Sequence, residues 1–353
     1  MALYNKIEGR LLKEWIRQSN EQRITLSFYK YHHIQDPQSF RDTLFRDLEQ
    51  LGVLGRIYVA NEGINAQISV PAKNRESFRD YLYGIPFLNG IRLNFAVEDN
   101  GRSFFKLKIL VRKKIVADGL DDASFDVTDT GLHVNAADFN KLADDPNTLI
   151  IDMRNHYESE VGHFKGAICP DVDTFREELQ VAEDLLNEHK GKNLLMYCTG
   201  GIRCEKASAW MKHRGFKNVF QLNGGIIEYA RQVKEQGLEN KFIGKNFVFD
   251  ERLGERITND VIATCHQCGQ PCDDHTNCKN DGCHLLFIQC TSCAAQYHGC
   301  CSDECRHIIA LPAEEQKALR AGINKGRQVF KKGRAKDLKE KLRKTASTQV
   351  LTV

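Results

Sequence analysis

The sequence predicts an α/β protein that begins with an α+β domain. Three observations support this fold class: apolar patterns in the order β-α-β-β-α-β near the N-terminus, short apolar strands alternating with helices in the middle, and ten of the 13 cysteines concentrated between Cys265 and Cys305. A chain of 353 residues is too long for one ordinary hydrophobic core. We therefore predict five segments: a first domain over 1–118, a linker over 119–134, a second domain over 135–245, a Cys-rich module over 246–310 and a basic tail over 311–353.

Composition and charge are those of a globular protein with a basic end. Hydrophobic residues make up 41% of the chain, and no apolar run approaches the roughly 18 residues that a membrane span requires. The N-terminus lacks the apolar segment of a secretory signal, so we expect a cytoplasmic protein with reduced thiols and no membrane partner. Residues 306–353 contain 13 Lys and Arg against 4 Asp and Glu, which suggests a polyanionic partner, although many basic tails are simply solvated. Nothing in the sequence indicates the oligomeric state.

The first domain is predicted from its alternating and helical apolar patterns. Residues 23–31 alternate as in a half-buried strand, and a helix begins at Asp36-Pro37, which supply a cap and a first-turn proline. A hairpin over residues 57–68, a second helix and a fourth strand over residues 91–97 follow. The order β-α-β-β-α-β is that of a split βαβ, or ferredoxin-like, domain.

A further strand, predicted over residues 104–116, has two different faces. The apolar face is expected to pack on the core and consists of Leu107, Ile109, Val111 and Ile115. The opposite face carries four cations, namely Lys106, Lys108, Arg112 and Lys114. These cations either bind the phosphates of RNA or form an ordinary solvated face.

The second domain has the pattern of a parallel sheet covered by helices. Apolar strands are predicted at residues 148–151, 194–197 and 219–222, separated by helical segments. In such sheets, ligands bind at the carboxyl ends of the strands. Asp152 and Cys198 each follow directly on a strand, which places both residues at this edge of the sheet.

The loop after the central strand carries the most informative residues. Cys198 is followed by Gly200 and Gly201, then by Arg203 and a helix. Backbone N–H groups of such a loop and the helix N-terminus both favour an anion, so we predict that Cys198 is a thiolate near neutral pH. The alternative is a cysteine that merely ends a buried strand, and the two glycines and the arginine argue against it.

The length of this loop favours sulfur or thiol redox chemistry over phosphate hydrolysis. Four residues lie between Cys198 and Arg203. Cysteine phosphatases of similar architecture have one residue more, which gives a ring wide enough for phosphate. The shorter loop suits a single sulfur or oxygen atom on the thiol.

Two motifs connect this loop to a known family. The first is Asp152-x-Arg154…Glu158…Gly162-His163-Phe164-x-Gly166-Ala167, and the second is Tyr197-Cys198-x-Gly200-Gly201-x-Arg203. Together they resemble the rhodanese-like domain. With the first domain and the Cys-rich segment, over about residues 1–310, the chain resembles the bacterial rhodanese-type tRNA uridine hydroxylases. This resemblance implies tRNA as substrate, conversion of its wobble uridine to 5-hydroxyuridine, and molecular oxygen as co-substrate.

The resemblance also implies roles for residues of the two motifs. Cys198 matches the rhodanese nucleophile, which carries a persulfide in sulfur-transfer members, and Arg203 closes the catalytic loop. The residues between them match the cradle around the sulfur: Thr199, Gly200, Gly201 and Ile202. Asp152 and Arg154 match a pair that supports the loop through salt bridges and does not itself react.

The sequence leaves the chemistry of hydroxylation open. No flavin, haem or nucleotide signature is visible. Oxidised sulfur on Cys198 could take part, or Cys198 could add to the uracil ring and activate its C5 carbon. Cys204 could resolve an oxidised Cys198 by disulfide exchange, or simply pack in the first turn of the helix. Two other functions stay open: a sulfurtransferase that uses a Cys198 persulfide, and a non-catalytic RNA-binding scaffold.

The Cys-rich module is predicted to bind metal, because Cys-x2-Cys pairs in a reduced compartment are typical zinc ligands. One four-thiolate site would be formed by Cys265, Cys268, Cys290 and Cys293. A second site could draw on Cys278, Cys283, Cys301 and Cys305, but the sequence does not decide which cysteines share an ion or whether one or two ions bind. An iron–sulfur cluster, which also uses cysteine alone, is the alternative. Structural zinc would stabilise a segment that has little apolar content of its own.

Overall fold

The computed structural model describes residue 7, residues 9–120 and residues 124–321. The elements of the first domain are α1 Gly9–Gln18, β1 Arg23–Tyr31, α2 Pro37–Gln50, β2 Leu54–Ala60, β3 Gly63–Pro71, α3 Arg75–Gly84, β4 Asn94–Phe95 and β5 Leu107–Val111. Short 3₁₀ turns lie at Ala72–Asn74 and Pro86–Leu88. The start of α2 is the predicted one, since the Asp36 side chain accepts hydrogen bonds from the backbone N–H groups of Gln38 and Ser39.

The strands of the first domain form one sheet in the order β4-β1-β3-β2-β5. β1 pairs antiparallel with β3 and β4, β2 pairs antiparallel with β3, and β5 lies parallel to β2. Strands β1 to β4 have the ferredoxin-like order, so this prediction is confirmed. The helices cover one face of the sheet, and its core includes Phe28, Leu44, Leu48, Ile57 and Phe78.

Two strand predictions in this domain were too long. β4 covers only Asn94–Phe95 of the predicted residues 91–97, and β5 covers only Leu107–Val111 of the predicted residues 104–116. Val111, predicted to face the core, is 37% exposed because the chain leaves the sheet at this residue. Lys114 then turns inward, and its ammonium group lies 2.7 Å from the carboxylate of buried Asp118. This ion pair removes Lys114 from the predicted cationic face.

The second domain begins with an edge strand and then alternates helices and strands. Its elements are β6 Leu132–Val134, α4 Ala136–Ala143, β7 Thr148–Asp152, α5 His156–Ser159, β8 Gly162–Phe164, α6 Phe175–Leu186, β9 Asn193–Tyr197, α7 Ile202–His213, β10 Asn218–Leu222 and α8 Gly225–Gln236. A 3₁₀ turn at Asn187–His189 follows α6. Residues 132–134, which the sequence assigns to the linker, lie in the sheet because their backbone pairs with β10. Three residues are too few to show a strand pattern.

The main sheet of the second domain has the order β6-β10-β9-β7, and all of its strands are parallel. Helices cover both faces: α6 and α7 pack around Leu194 and Met196, whereas α4 and α8 pack around Leu195 and Tyr197. The predicted parallel α/β domain is therefore confirmed. The carboxyl ends of β7 and β9 lie side by side, with Asp152 opposite Tyr197 in the register, so the two motifs meet at one edge.

The C-terminal part continues from the second domain without a break. Its elements are β11 Phe242–Asn246, β12 Glu255–Arg256, β13 His275–Asn277, β14 Leu286–Ile288, α9 Thr291–Gln296, α10 Asp303–Ala310 and α11 Ala313–Arg320. β11 pairs with β8 of the second domain and with β12, while β13 and β14 form a hairpin. Leu286, Phe287 and Ile288 are buried among cysteine side chains, so the module has a small core.

The predicted basic tail falls mostly outside the described residues. Lys317 and Arg320 lie on α11, and residues 322–353 lie beyond the last described position. Across the described ranges, no helix has both the length and the apolar character needed to cross a membrane.

Ion pairs hold the first domain against the second. Lys206 on α7 is 2% exposed, and its ammonium group lies 2.6 Å from Glu62 and 3.1 Å from Asp118 of the first domain. The Tyr29 hydroxyl on β1 donates to Glu205 at 2.9 Å. Both second-domain partners directly follow the predicted catalytic loop, so these contacts place the polar face of the first sheet beside Cys198.

Candidate functional site

Cys198 lies between the end of β9 and the start of α7. The backbone N–H of Gly201 donates to Cys198 Sγ at 3.1 Å, as the predicted cradle requires. Gly201 has φ +99°, and a Cβ at this position would lie 2.8 Å from the Tyr29 hydroxyl. Only glycine combines this backbone conformation with such close approach to another domain.

The Cys198 thiol is buried yet acidic. Burial alone would raise its pKa, but a hydrogen bond from the Cys204 thiol, the charge of Arg203 and nearby backbone N–H groups outweigh burial and lower the pKa to about 6. Cys198 would therefore be mostly thiolate near neutral pH. Cys204 is fully buried, and burial together with its hydrogen bond to Cys198 raises its own pKa well above the usual value.

Arg203 is held by Glu158, which the sequence places in the first motif without a role. Nη1 and Nη2 of Arg203 donate to the two carboxylate oxygens of Glu158, at 2.7 and 2.8 Å. Both side chains are almost completely buried. Arg203 also donates to the Thr199 hydroxyl at 3.3 Å. The paired charges fix the side chain of Arg203 behind the loop, where its positive charge still acts on Cys198.

The supporting pair Asp152 and Arg154 forms a second buried ion pair. Arg154 donates from Nε and Nη2 to the two carboxylate oxygens of Asp152, at 2.8 and 2.6 Å, and from Nη2 to the Gly162 carbonyl at 2.6 Å. The Tyr197 hydroxyl donates to Asp152 at 2.7 Å. This cluster joins β7, β8 and β9 directly beneath Cys198, so the two residues are placed to support the loop.

The start of α8 also fixes the loop. The backbone N–H groups of Ile226 and Ile227 donate to the carbonyls of Cys198 and Thr199, at 3.0 and 3.2 Å. Gly225 makes this approach possible, because a Cβ on it would lie 2.5 Å from the Cys198 carbonyl oxygen. Ile202 opens α7 and lines the space in front of the loop.

A cavity of about 640 Å³ separates the catalytic loop from the polar face of the first sheet. Cys198, Thr199 and Gly200 line one side, and Tyr29, Tyr58 and Asn94 are among the residues of the first domain that line the other. This volume lies within the range of about 300–1,000 Å³ that is typical of small-molecule sites. The sequence did not predict the contribution of the first sheet, because no local pattern shows which face of a domain meets another domain.

A hydrogen-bonded chain connects this cavity with the surface. Glu205 accepts from Tyr29, and His133 Nε2 lies 3.0 Å from the same carboxylate oxygen. The hydrogen bond to Glu205 raises the pKa of His133. Burial, followed by the Glu205 charge, raises the pKa of Tyr29 well above its usual value, so its phenol stays protonated.

The predicted cationic strand face is only partly present. Lys108 is exposed and lies opposite Arg56 in the register of β5 and β2, and the Arg112 guanidinium lies over the Tyr58 ring at 5.8 Å. Burial, followed by the positive charges of Lys106, Arg56 and Arg112, lowers the pKa of Lys108. Arg56 is the member that the sequence missed, because it lies on another strand.

The eight predicted metal ligands gather in the two predicted sets. Within each set, the sulfur atoms all lie within 4.8 Å of one another: Cys265, Cys268, Cys290 and Cys293 form the first set, and Cys278, Cys283, Cys301 and Cys305 form the second. Individual sulfur pairs are 3.6 to 3.8 Å apart. Four thiolates around a tetrahedral ion with bonds of about 2.3 Å lie roughly 3.8 Å apart, so both sets can hold a metal ion such as zinc.

Backbone and amide donors complete the surroundings of these sulfurs. The N–H groups of Cys290 and Cys301 donate to Cys265 and Cys278, and the Asn280 amide donates to Cys305 at 3.3 Å. Such donors stabilise thiolates around a cation.

Three family models match the chain, in sequence order. The UPF0176 acylphosphatase like domain matches residues 23–115, the Rhodanese-like domain matches residues 135–232, and the Rhodanase C-terminal model matches residues 243–306. Among solved structures, the chain is similar to the Rhodanese-like domain from Anabaena sp. Alr3790, with 20% identity, coverage of 32% of this chain and 78% of that chain, and a TM-score of 0.26.

Curated relatives match nearly the whole chain. The tRNA uridine(34) hydroxylase of Enterobacter sp. (strain 638) is 57% identical over 336 residues, which cover 95% of this chain and 96% of that protein. The tRNA uridine(34) hydroxylase of Yersinia enterocolitica is 59% identical over 334 residues, which cover 94% of this chain and 95% of that protein. The predicted resemblance is confirmed, and the chain belongs to the tRNA uridine(34) hydroxylase family.

Proposed function

We propose that this protein hydroxylates uridine 34 of tRNA, with Cys198 as the reactive group. The observation that carries this proposal is the acidic Cys198 thiol on the wall of a cavity large enough for a nucleotide, in a chain whose relatives are tRNA uridine(34) hydroxylases. Anticodon bases are single-stranded and can be splayed out into a pocket. The reaction would take place in the cytoplasm, where tRNA is modified, and its product would be 5-hydroxyuridine.

Cys198 has two chemical roles compatible with this site, with molecular oxygen as co-substrate. As a thiolate it can be oxidised, and the Gly201 N–H would then stabilise negative charge on the sulfur or on an attached oxygen. Alternatively, it can add to the uracil ring and activate C5 as a covalent catalyst. Arg203 and the cradle residues serve both roles in the same way, because they stabilise the anion on which each role depends.

The favoured role of Cys204 is that of a hydrogen-bond donor to the Cys198 thiolate. Its raised pKa keeps it protonated, and its full burial denies it any partner from solution. A resolving role would require Cys204 to attack an oxidised Cys198. Once Cys198 is oxidised, its thiolate charge and its hydrogen bond no longer raise the pKa of Cys204. The variant pair Cys204→Ala and Cys204→Ser separates these roles.

The cations of the first sheet are proposed to bind the tRNA backbone. Lys106, Lys108 and Arg112 form this group together with Arg56, and Lys114 does not belong to it because it pairs with Asp118. Phosphate contacts of this kind make binding strongly dependent on salt. We expect Lys108→Ala with Arg112→Ala to weaken tRNA binding and reduce its salt dependence, measured by fluorescence anisotropy. An unchanged salt dependence would contradict this placement.

The two cysteine sets are proposed to bind zinc with a structural role. All ligands are thiolates, and the sulfur spacing suits a tetrahedral ion. The purified protein is expected to be colourless and to contain close to two zinc ions per chain. A brown protein with iron and acid-labile sulfide would overturn this assignment.

The decisive experiment compares tRNA nucleosides by mass spectrometry in a deletion strain. Complementation with the wild-type gene should restore 5-hydroxyuridine derivatives at position 34, and Cys198→Ala should restore none. If Cys198→Ser supports full hydroxylation, neither role of Cys198 is correct. Tight tRNA binding with unchanged nucleosides after deletion would instead support the scaffold function.

A sulfurtransferase is the second candidate function, because the cradle around Cys198 also suits a persulfide. The Gly201 N–H that contacts Sγ would stabilise a terminal sulfur equally well. This function predicts rapid, cyanide-dependent formation of thiocyanate from thiosulfate and no change in hydroxyuridine after deletion.

A further inference from the structure

Asn94 is a buried side chain on the cavity wall whose hydrogen-bonding capacity is largely unused. It is 5% exposed, and its Oδ1 atom has no hydrogen-bond partner among the described residues. Its Nδ2 atom donates to the Gly200 carbonyl at 3.5 Å, the outer limit for a hydrogen bond. Leaving a buried amide unsatisfied costs free energy, and such groups in folded proteins usually have a functional reason.

Asn94 lies at the inner end of a polar row that crosses the first sheet. The register pairs Lys108 with Arg56, Arg56 with Gln67, Gln67 with Ser27, and Ser27 with Asn94. Along this row, Lys108 and Arg56 are exposed, Gln67 and Ser27 are half-buried, and Asn94 is buried. A strand of RNA bound through phosphates at the exposed end would therefore lead one base towards Asn94.

Space for that base is open beside the catalytic loop. Outside its two chain neighbours, a Cβ built on Gly200 would meet one atom of the described residues within 4 Å, the Asn94 amide nitrogen at 3.8 Å. Gly200 has an ordinary φ, so its backbone does not require glycine. Gly200 and Asn94 line the same cavity as Cys198, which lies two residues before Gly200 in the chain.

We propose that Asn94 reads the target base by accepting the N3–H of uracil at Oδ1, while Nδ2 donates to a uracil carbonyl. This inference rests on the proposed hydroxylation of uridine 34 and adds the means of base selection. Cytosine has no proton on N3, so its N3 and Oδ1 of Asn94 would be two acceptors facing and repelling each other. Rotating the amide to suit cytosine would turn Oδ1 towards the Gly200 carbonyl, so that carbonyl holds the amide in the orientation that selects uracil.

The test compares anticodon stem-loop RNAs that carry uridine or 3-methyluridine at position 34, because the methyl group replaces the N3–H. Binding to the full-length protein is measured by fluorescence anisotropy at fixed salt. The wild-type protein should bind the uridine RNA roughly ten- to hundred-fold more tightly than the 3-methyluridine RNA, as expected for a two-bond base contact. The ratio of these two dissociation constants is the quantity compared among variants. In Asn94→Ala this ratio should fall to near one, and Asn94→Asp, which keeps an oxygen acceptor, should retain part of it.

Asn65→Ala is the matched control, since Asn65 lines the same cavity but donates to the Ile115 carbonyl. It should keep the wild-type ratio. The rate of Cys198 alkylation reports on the loop and should be the same in Asn94→Ala as in wild type. Equal ratios in wild type and Asn94→Ala, or an altered alkylation rate with an intact ratio, would overturn the proposal in favour of a loop-positioning role. Absence of uridine 34 hydroxylation by the wild-type protein would instead overturn the proposed function, whatever the binding ratio.

Discussion

The catalytic loop and the Cys-rich module both depend on cysteine sulfur, but they control it by different means. At Cys198 a single sulfur receives N–H groups from a rigid loop and lies beside the buried Arg203–Glu158 pair, so the folded sheet itself stabilises the thiolate. In the module, four sulfurs converge in each set, and backbone N–H groups and the Asn280 amide donate to individual sulfurs. Four thiolates so close together would repel one another, so ionisation of all four would require a cation at their centre. A single buried thiolate can thus be stabilised by groups of the fold itself, whereas four clustered thiolates could be stabilised together by a metal ion.

Metal removal should give the largest effect and separate the two regions. Structural zinc contributes on the order of 10–16 kcal/mol to small zinc domains, so Cys293→Ser or a strong chelator should unfold the module. Zinc content and limited proteolysis measure this loss. Cys198 should keep its alkylation rate, because its hydrogen-bond donors all come from its own loop and helix.

Cys272→Ser is the control for this prediction. Cys272 is buried in the module but belongs to neither set, so its replacement should leave the zinc content unchanged. A module that resists proteolysis after complete loss of zinc would contradict the proposed dependence on metal.

Glu158→Gln tests the prebuilt electrostatics of the loop. The substitution leaves the buried Arg203 charge without its partner, and breaking a buried pair in this way costs about 3–5 kcal/mol. Denaturant unfolding followed by tryptophan fluorescence, to which Trp210 on α7 contributes, should show the loss. Glu76→Gln breaks the exposed pair with Arg79 and should cause no measurable change. Equal effects of the two substitutions would show that the buried pair does not hold the loop.

The two glycines of the loop should respond differently to alanine. Gly201→Ala places a side chain at φ +99° and against the Tyr29 hydroxyl, so we expect a loss of about 1–2 kcal/mol in the free energy of unfolding. Gly200→Ala should fold normally, since its Cβ would make only an ordinary contact with the Asn94 amide, but should reduce hydroxylation by placing a methyl group in the cavity beside Asn94. Thermal unfolding and nucleoside mass spectrometry check the two outcomes. Similar melting temperatures for both variants would contradict the geometry of the cradle.

The pH dependence of Cys198 alkylation should show the smallest effect. Because the thiol reacts as thiolate, the rate should be half-maximal near pH 6 and fall as the pH drops below that value. Cys204→Ala removes a donor to the thiolate and should move the midpoint upward by about one pH unit. Iodoacetamide rates located by peptide mass spectrometry measure both midpoints.

Cys204→Ser distinguishes a donor from a resolving thiol. Serine keeps a hydroxyl donor, so the midpoint should stay near the wild-type value and hydroxylation should persist. Loss of hydroxylation in both the serine and the alanine variant, with a normal midpoint in the serine variant, would establish Cys204 as a resolving thiol.

Much of the architecture could be predicted because its signals are local. Alternation over residues 23–31, the Asp36 cap and the apolar strand before Cys198 each depend on neighbours within a few residues. Errors arose where tertiary contacts decide the extent of an element. β5 ends at Val111 and Lys114 turns inward because Asp118 is buried against Lys206, which lies far away in sequence.

The sequence by itself determined the local character of the individual parts: a cysteine and glycine loop after a buried strand, a parallel sheet to carry it, and a segment rich in potential metal ligands. Only the tertiary structure decided what surrounds these parts. Glu158 partners Arg203, and Tyr29, Arg56 and Asn94 face the loop from another domain, because a strand pattern shows that one face is polar but not what that face meets. Short-range patterns specify local structure, and long-range packing assembles the site from residues that are far apart in the chain.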